Sequence, residues 1–572
     1  MIDENLHTLV DNFRNQYDSY KSPLYNETQL RREFLDKFIR ALGWDVDNEQ
    51  GFSETFKEVI HEASQQVGNE RDGKENHTKR PDYCIQIGGR KLFYIEAKKP
   101  SVDIRENTEP SYQVRRYGWN AKMPVCLLTN FDEFTVYDTT IKPLPTDTSA
   151  TARIFYCRYD ELEKHNTKYP AYECNWDFLC ALFSKDAVQR GSLEKYRQAD
   201  KKKGTQEVDQ VFLNEIEDWR VQLALNVTLR NTELNEREVN DVVQKTIDRI
   251  IFLRIAEDRG IERENTLKKI ADGKDVYQNL VKLFKTADDK YNSGLFHFRN
   301  EKGNTDKPDV LTPKIVVDDK VLKNIIKSLY YPNPYEFSVM PADILGSVYE
   351  RFLGKVIRLT AGHRAKVEEK PEVRKAGGVY YTPSYVVDYI VKNTIGETLT
   401  NKTAKHLGNF RIVDPACGSG SFLVGAYQFL LDWYLNEYVK SPSSNKKRLL
   451  KISDGNYKLT ISERKRILTA HIFGVDIDTQ AVEVTKLSLL LKALEGLSEQ
   501  EIQLSLFNER ALPNLSSNIK CGNSLIGNDF YSQGTLNLTE DKQYKINAFD
   551  WQEEFKEAFQ DGGFDVVIGN PP

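Results

Sequence analysis

The sequence predicts a multidomain α/β protein, on three observations. The chain has 572 residues, enough for more than one buried core. Helical and β-rich runs are mixed near the start, and strands alternate with helices in the last third. The stretch between them has helical periodicity alone. We therefore expect a mixed α/β domain over residues 1–185, an all-α connector over 186–340, and a doubly wound α/β domain over 341–572.

Composition excludes several classes of protein. The chain is 40% apolar and 29% charged, as soluble globular proteins are. Apolar runs long enough for a transmembrane helix do not occur, and the acidic start does not resemble a secretory signal. The seven cysteines include no Cys-x-x-Cys pair, which excludes a cysteine zinc site and favours a cytoplasmic location.

The formal net charge of −5 does not indicate a protein that is basic throughout. Contact with DNA must therefore come from local patches or from sequence beyond residue 572. Short basic runs at 201–203, 446–448 and 464–466 are candidates. Solvated loops and helix ends are the favoured interpretation of each run taken alone.

The first domain begins with a predicted amphipathic helix over 27–42, which Gly43 ends. Two β-rich runs, 83–87 and 91–97, flank a glycine-containing turn and predict a hairpin. The runs 125–129 and 134–137 predict two further strands around a turn. These elements form the frame on which the first candidate site lies.

Acidic and basic residues meet at one end of the predicted hairpin. Asp82 precedes its first strand, and Glu96-Ala97-Lys98 ends its second. Side chains two apart share one face of a strand, so Glu96 and Lys98 project together, with Asp82 beside them. Two carboxylates and the Ala97 carbonyl could hold Mg²⁺, and Lys98 could orient or deprotonate a water for attack on a phosphodiester. On these residues alone, a surface salt bridge remains the favoured alternative.

This part of the chain resembles the PD-(D/E)xK nuclease superfamily, specifically the N-terminal nuclease of restriction enzymes. The resemblance rests on Asp82, on the Glu-Ala-Lys element after an apolar strand, and on a Gln-x-x-x-Tyr element at Gln113. It implies Asp82, Glu96 and Lys98 as catalytic residues and Asp82, Glu96 and Ala97 as metal ligands. It further implies Glu33 as an additional acidic residue and Gln113 as a neighbour of the site. A capped helix or a solvated face explains the last two equally well.

The middle part carries a predicted helix over 237–259, with an apolar stripe and a stop at Gly260. A second helix is predicted over 212–225, and the polar stretch 299–309 indicates a loop. The segment 250–260 resembles the helical connector of single-chain Type IIG restriction–modification enzymes. Their order of nuclease, connector and methyltransferase is matched here. A Walker phosphate loop is absent from the sequence, which counts against a helicase motor.

The last domain contains a glycine-rich turn between a strand and a helix. Strands are predicted at 411–413 and 471–475, and helices from the turn to 438 and over 479–494. The string from Asp414 to Leu423 places Gly418 and Gly420 where backbone amides and a helix N-terminus can approach a ligand. Asp476 ends the next strand, where an acid can bind ribose hydroxyls. A tight turn and a helix cap are the simpler alternatives.

These segments resemble the S-adenosylmethionine site of the Rossmann-like class I methyltransferases, in the branch that methylates adenine N6 of DNA. The resemblance implies contacts of Asp414 and the glycine turn with the methionine part, of Asp476 with the ribose, and of Asn523 near the adenine. Many relatives have Asp in place of Asn523, which weakens that assignment. The implied cofactor-binding residues are Tyr381, Thr382, Pro383, Asp414, Pro415, Ala416, Gly418, Gly420, Asp476, Ile477 and Asn523.

An apolar strand at the end of the chain runs into Asn570-Pro571-Pro572. By the same resemblance these are catalytic residues: the Asn570 side chain and the Pro571 carbonyl would accept hydrogen bonds from the exocyclic amine of a flipped adenine. The aromatic residue that usually follows is not in this sequence. We therefore expect an incomplete methyltransferase domain that methylates poorly or not at all alone.

The sequence thus predicts a restriction–modification protein: an adenine-specific DNA methyltransferase fused to a type II-like endonuclease. It would act on double-stranded DNA and use S-adenosylmethionine and Mg²⁺. A membrane is not an expected partner. A separate or downstream target-recognition segment is an expected partner. Two alternatives stay open here: a truncated or split methyltransferase that needs a missing segment, and a DNA-binding component whose nuclease has become a scaffold. The retained Asp, Glu and Lys disfavour the scaffold.

Overall fold

The computed structural model describes residues 4–52, 57–61, 80–88, 90–199, 207–291, 295–299, 308–340, 348, 354–370, 382, 384–453, 456–495, 512–532 and 546–570. Contacts divide the chain into two compact units. The first comprises Met1–Val208 with Tyr330–Met340, and the second comprises Asp209–Leu329 with Pro341–Pro572. The three predicted domains are not tested by this division and stay a prediction.

The first unit is built on a six-stranded mixed sheet in the order β1 to β6. The central strands β3 and β4 are parallel, and every other neighbouring pair is antiparallel. The strands are β1 (Val59–His61), β2 (Tyr83–Ile87), β3 (Arg90–Ala97), β4 (Val125–Thr129), β5 (Glu133–Asp138) and β6 (Arg153–Arg158). The predicted hairpin over 83–97 and the pair over 125–137 are therefore present.

Helices cover both faces of this sheet. They are α1 (Glu4–Asn15), α2 (Tyr17–Tyr20), α3 (Glu27–Leu30), α4 (Asp36–Ala41), α5 (Thr108–Asn120), α6 (Asn175–Phe183), α7 (Lys185–Gln189) and α8 (Ser192–Ala199). Alternating residues of β3 enter two different cores: Phe93 and Ile95 pack with the N-terminal helices, whereas Tyr94 packs with Val114 of α5. Since the sheet is buried on both sides, its inner strands β2, β3 and β4 are apolar at most positions on both faces.

The predicted helix over 27–42 is one continuous helical segment. A π-helical turn (Arg31–Leu35) joins α3 to α4. Asn26 caps it and forms a capping box with Gln29. Gly43 follows at φ +88°, a conformation that favours glycine.

The second unit begins with helices that were predicted as the connector. These are α9 (Val208–Arg230), α10 (Glu236–Asp258), α11 (Thr266–Asp272), α12 (Val276–Tyr291) and α13 (Asp319–Ser328). Asn235 caps α10 through a capping box, and Gly260 follows its end at φ +70°. The apolar stripe predicted for this helix understates its burial, because α10 is buried on all sides over its second half. Most of the predicted loop at 299–309 lies outside the described residues.

A four-stranded parallel sheet forms the centre of the remaining part of the second unit. The strands are β9 (Ile412–Asp414), β12 (Ile472–Asp476), β13 (Ile519–Cys521) and β14 (Val566–Val567), and their spatial order is β13-β12-β9-β14. All three pairings are parallel. In chain order, the third, second, first and fourth strands lie side by side. Their parallel pairing is the one that the alternation of strands and helices predicts.

The helices of this part are α14 (Ser384–Val391), α15 (Glu397–Leu399), α16 (Ser421–Val439), α17 (Ile461–His471), α18 (Thr479–Leu494), α19 (Asp529–Ser532), α20 (Trp551–Glu554) and α21 (Lys556–Gln560). Two antiparallel hairpins were not predicted. They are β7 (Lys355–Leu359) with β8 (Ala365–Glu369), and β10 (Leu449–Ser453) with β11 (Asn456–Leu459). Across the described ranges, no helix is both long and apolar enough to span a membrane.

Candidate active sites

The acidic cluster of the first unit lies where β2 and β3 meet. Tyr83 pairs with Ile95 in the antiparallel ladder, which places Asp82 beside Glu96 at its end. The Asp82 Oδ2 accepts a hydrogen bond of 2.8 Å from the Ala97 backbone N–H. Its Oδ1 accepts one of 3.1 Å from Arg31, which also donates to the Asp82 carbonyl. Burial raises the pKa of Asp82, whereas Arg31 and Lys98 oppose that rise.

Glu96 is buried and holds Lys98. The Lys98 ammonium lies 2.6 Å from Glu96 Oε1, while Glu96 Oε2 is buried with no hydrogen-bond partner in the described structure. Burial, reinforced by the nearby Asp82, raises the pKa of Glu96 to about 8. Burial acts to lower the pKa of Lys98, but the Glu96 carboxylate outweighs it and the net shift is upward. Lys98 therefore remains an ammonium near neutral pH.

Glu27 is an acidic neighbour of this cluster that the sequence did not indicate. Burial and the charge of Asp82 raise its pKa to about 6, and Lys98 and Arg31 act in the opposite direction. Glu27 and Arg31 are four residues apart on one helical segment, so they share a face. That spacing was the available signal for both residues.

The predicted acid Glu33 makes different contacts. Its Oε2 accepts a 3.0 Å hydrogen bond from the Tyr25 hydroxyl. Glu33 is two positions after Arg31, which puts the two side chains on different sides of the helix. The structure thus brings Asp82, Glu96 and Lys98 together and adds Glu27, whereas Glu33 faces an aromatic neighbour.

Gln113 lies on α5, which packs on the face of β3 that carries Glu96. Its side chain donates a 3.0 Å hydrogen bond to the Tyr117 hydroxyl. Burial raises the pKa of Tyr117 well above its usual range, and the charge of Glu96 adds to that rise. Gln113 therefore reaches the acidic cluster through Tyr117.

Two features of this cluster fit a divalent cation. The buried Glu96 Oε2 has no donor in the described structure, and Asp82 lies close enough to raise the pKa of Glu96. A hard cation would supply the missing partner and offset the repulsion. Groups of three or more His, Cys, Asp or Glu side chains suited to a metal are not found within the described ranges. The predicted set of two carboxylates and one carbonyl remains a prediction.

The glycine-rich turn of the second unit connects β9 to α16. Gly418 and Gly420 have φ of +53° and +85°, which favours glycine at both positions. A Cβ at Gly418 would meet nothing within 4 Å, whereas one at Gly420 would lie 2.9 Å from Thr485. The Thr485 hydroxyl donates a 2.8 Å hydrogen bond to the Gly418 carbonyl. One side of the turn is thus open toward a ligand, and the other is packed against α18.

Asp414 ends β9 as a buried acid. Its Oδ1 accepts a 3.0 Å hydrogen bond from the Ala416 N–H, which places Pro415 and Ala416 in the bend that follows. Burial, together with the charge of Asp476, raises the pKa of Asp414 to about 7. A Cβ on Gly569 would lie 2.7 Å from Asp414 Oδ1. The glycine lets the chain after β14 pass directly beside this carboxylate.

Asp476 ends the neighbouring strand β12 and also contacts the turn. Its Oδ2 accepts a 2.8 Å hydrogen bond from the Gly418 N–H, and its Oδ1 accepts one from the Asp478 N–H. Burial raises the pKa of Asp476. Each carboxylate oxygen keeps a second lone pair for a ligand hydroxyl. The adjacent Ile477 is 51% exposed, an apolar surface at the same end of the sheet.

Asn523 follows β13 at that end of the sheet. Its Oδ1 accepts a hydrogen bond from the Leu525 N–H at 3.1 Å and keeps a second lone pair. Asn523 therefore offers a ligand both an acceptor and the amide N–H₂ donor, whereas an aspartate would offer acceptors alone. The contact of Asn523 with an exocyclic amine stays a prediction.

Asn570 follows β14, on the opposite side of β9 from Asp476. Its side-chain nitrogen donates to the Thr382 hydroxyl over 3.4 Å, so the structure brings together two segments that the sequence separates widely. Asn570 Oδ1 is then free to accept, within the described part of the chain. The predicted residues Tyr381, Pro383, Pro571 and Pro572 lie outside the described residues.

Two models of known protein families match this chain, one in its first unit and one near its end. The family model "Eco57I restriction-modification methylase" matches residues 470–572, and "Type I restriction enzyme R protein N terminus" matches residues 24–143. The second range contains the acidic cluster. The first range contains Asp476, Asn523 and Asn570.

The chain is 36% identical over 571 residues to the Type II restriction enzyme and methyltransferase RM.Eco57I of Escherichia coli, covering 100% of this chain and 52% of that protein. A Methanocaldococcus jannaschii protein with a provisional assignment to the same class is 24% identical over 551 residues, covering 78% of this chain and 43% of that protein. The chain spans about half the length of the curated relatives it matches.

Among solved structures, the chain is similar to one in a cryo-EM structure of a DrdV–DNA complex. The match covers 99% of this chain and 43% of the DrdV chain, with 12% sequence identity and a TM-score of 0.32. The similarity to RM.Eco57I along the whole chain confirms the resemblance to single-chain restriction–modification enzymes that the sequence predicted.

Proposed function

We propose that this chain, similar along its whole length to a Type II restriction enzyme and methyltransferase, is a restriction–modification protein. Its first domain would cleave double-stranded DNA with Mg²⁺, and its last would bind S-adenosylmethionine and methylate adenine at N6. The single observation that carries the proposal is that one chain holds both the Asp82–Glu96–Lys98 cluster and the Asp414–Asp476 turn. The alternative of a split methyltransferase alone is not favoured, because it leaves the first cluster unexplained.

For cleavage, we assign Asp82, Glu96 and the Ala97 carbonyl to the cation. The cation would stabilise the charge that develops on the attacked phosphodiester. Lys98 is proposed to orient the attacking water and stabilise charge. Removal of a proton is a poorer role, because its ion pair with Glu96 keeps it an ammonium. The mixed sheet, with parallel β3 and β4 joined by α5, supports the proposed PD-(D/E)xK fold.

For methyl transfer, the strand order supports a Rossmann-like domain. The third, second, first and fourth strands lie side by side, and in such sheets ligands bind where the order reverses, at the carboxyl ends. That point lies between β9 and β14, which carry Asp414 and lead to Asn570. The open side of Gly418, after β9, and the exposed Ile477, after the neighbouring β12, fit an elongated nucleoside ligand along the carboxyl ends of these strands. The bound cofactor supplies an electrophilic methyl group on a sulfonium.

Asn570 is proposed to accept a hydrogen bond from the adenine amine. Its amide nitrogen is held by Thr382, which leaves Oδ1 for the base. Hydrogen bonds accepted from the amine N–H groups would localise the lone pair on the nitrogen and orient it toward the methyl group. The three domains, 1–185, 186–340 and 341–572, would then be nuclease, connector and methyltransferase.

Lys98 and Lys99 offer a matched test of the nuclease. Both are lysines at the end of β3, but only Lys98 is held by Glu96. We expect Lys98→Ala to abolish Mg²⁺-dependent cleavage of DNA and Lys99→Ala to retain it. Cleavage that survives Lys98→Ala would refute the assignment.

Calorimetric titration of the whole protein with S-adenosylmethionine tests the cofactor site. We expect binding by the unmodified chain and by Lys98→Ala, since that lysine belongs to the other unit. The absence of binding heat over a range of temperatures would refute the methyltransferase half of the proposal and leave the nuclease half standing.

A further inference from the structure

A chain of polar contacts leads from Lys370 to the glycine-rich turn. The Lys370 ammonium forms an ion pair with the Asp478 carboxylate. The Asp478 backbone N–H donates to Asp476 Oδ1 over 2.8 Å, and Asp476 Oδ2 accepts from the Gly418 N–H, also over 2.8 Å. Lys370 is thus connected to the carboxylate assigned to the ribose through one intervening residue.

Both oxygens of the Asp478 side chain are engaged. Oδ1 accepts a 2.9 Å hydrogen bond from the Gln480 N–H and caps α18. Oδ2 receives the Lys370 ammonium. Because its two ends are held, the Asp478 backbone is fixed, and so is the N–H that it directs at Asp476.

Lys370 is itself held by the β7–β8 hairpin, which is anchored on the connector helices. The Lys370 N–H donates to the Gly354 carbonyl over 2.8 Å. The Asn240 side chain on α10 donates to the Ile357 carbonyl and accepts from the Ile357 N–H, over 2.8 and 3.0 Å. These two hydrogen bonds attach the hairpin to α10 and fix the position from which Lys370 extends.

The electrostatic surroundings give Lys370 a second effect. Asp476 is buried, and its pKa is raised by burial and by the Asp478 carboxylate, whereas Lys370 lowers it. On the side of Asp478, the buried guanidinium of Arg220 on α9 also lies within electrostatic range. Within the described part of the chain, Asp414, Cys417 and Cys521 also interact electrostatically with Asp476. Among these described neighbours, Lys370 is the cation whose charge lowers the pKa of Asp476.

We propose that Lys370 is a positioning residue of the cofactor site, which through Asp478 holds Asp476 in the orientation that binds the ribose hydroxyls. This inference rests on the proposed function, in which Asp476 contacts S-adenosylmethionine. It assigns the unpredicted hairpin a role: the hairpin carries the lysine from the connector helices to the cofactor-binding strand.

The test is calorimetric titration of the full chain with S-adenosylmethionine. Lys370→Met should raise the Kd about tenfold, the range expected when one charge-assisted contact is lost. Lys370→Arg should recover most of the affinity. Asp478→Asn keeps a good helix cap but removes the carboxylate that pairs with Lys370, so Lys370→Met should weaken binding less in the Asp478→Asn background than in the unmodified chain.

Lys355→Met is the matched control. Lys355 lies on the other strand of the same hairpin, opposite Glu369, and pairs with Glu217 of α9 at 2.6 Å. Its loss weakens the attachment of the hairpin but leaves the Lys370–Asp478 pair in place. We expect its Kd to stay within about twofold of the unmodified protein.

The pH dependence separates positioning from a purely structural effect. The Kd should rise as pH falls and Asp476 takes up a proton. In Lys370→Met this rise should occur at higher pH, because the cation that lowers the pKa of Asp476 is gone. A structural role would lower the melting temperature without displacing this profile. If Lys370→Met leaves both the Kd and its pH dependence unchanged, the inference about Lys370 is refuted and the proposed function stands. If the unmodified chain does not bind S-adenosylmethionine, the proposed cofactor site is refuted as well.

Discussion

Replacing Asp414 by asparagine should stabilise the ligand-free protein at alkaline pH while weakening cofactor binding. Asp414 is buried at the end of β9, and its hydrogen bond comes from an uncharged backbone N–H. An ionised carboxylate in such a place lacks the solvation of water without gaining a cation. Asparagine keeps the shape and the acceptor for Ala416 but carries no charge.

The magnitude follows from the pKa of Asp414, which burial raises from an ordinary value of 3.8 to about 7. One pKa unit corresponds to about 1.4 kcal/mol, so ionising Asp414 costs the folded state about 4 kcal/mol. The folded protein holds the proton more tightly than the unfolded chain, and stability therefore falls as pH rises from about 4 to about 7. The advantage of asparagine should be about 4 kcal/mol at pH 8 and about 2 kcal/mol at pH 5.

The assay is thermal unfolding of the ligand-free protein at both pH values, compared between Asp414→Asn and the unmodified chain. Asp272→Asn serves as a control, because Asp272 is exposed and paired with Lys327. Exposed pairs contribute little, so this control should change stability by less than about 0.5 kcal/mol at either pH. A variant of Asp414 that is equally destabilised at pH 5 and pH 8 would refute the reasoning.

Three further predictions concern the two sites. Glu27→Gln should slow DNA cleavage about tenfold or more, whereas Glu33→Gln should leave the rate within about twofold, because only Glu27 shares the field of the acidic cluster. Cleavage at limiting Mg²⁺ should decline as pH falls below about 8, where Glu96 takes up the proton that competes with the cation; a flat profile would contradict the raised pKa. Gly569→Ala should weaken cofactor binding about tenfold in calorimetry, since its Cβ would lie 2.7 Å from Asp414 Oδ1; unchanged affinity would show that the strand yields without cost.

Local signals predict the helices and strands that frame both sites. The helix Thr479–Leu494 is predicted with nearly these bounds, because Asp478 is a strong cap and the apolar run after it is long. The hairpin that holds Glu96 and Lys98 follows from a glycine turn between two β-rich runs. Alternation along the second strand of that hairpin is enough to put Glu96 and Lys98 on one face.

Long-range packing determines the features of the two sites that local sequence patterns do not predict. The helix over 27–42 is predicted, but the face that meets Asp82 depends on how that helix lies on the sheet, and this decides between Glu27 and Glu33. The hairpin at 355–369 has short strands that mix apolar and charged residues, and it is held by Asn240, which is remote in sequence. Lys370 gains its role only through that contact, so no local pattern marks it.

Both candidate sites bury carboxylates that lack full compensation in the ligand-free protein. Glu96 in the first unit and Asp414 in the second have pKa values raised to about 8 and about 7. A positively charged ligand would lower the free energy of ionising each buried carboxylate. That ligand would be a divalent cation at the first site and a sulfonium cofactor with its ammonium group at the second. Because the two acids belong to separate units, Mg²⁺ should raise the unfolding temperature of the first unit and S-adenosylmethionine that of the second, each more strongly above pH 8 than at pH 6. Differential scanning calorimetry with each ligand alone distinguishes this from nonspecific stabilisation, which would shift both transitions together.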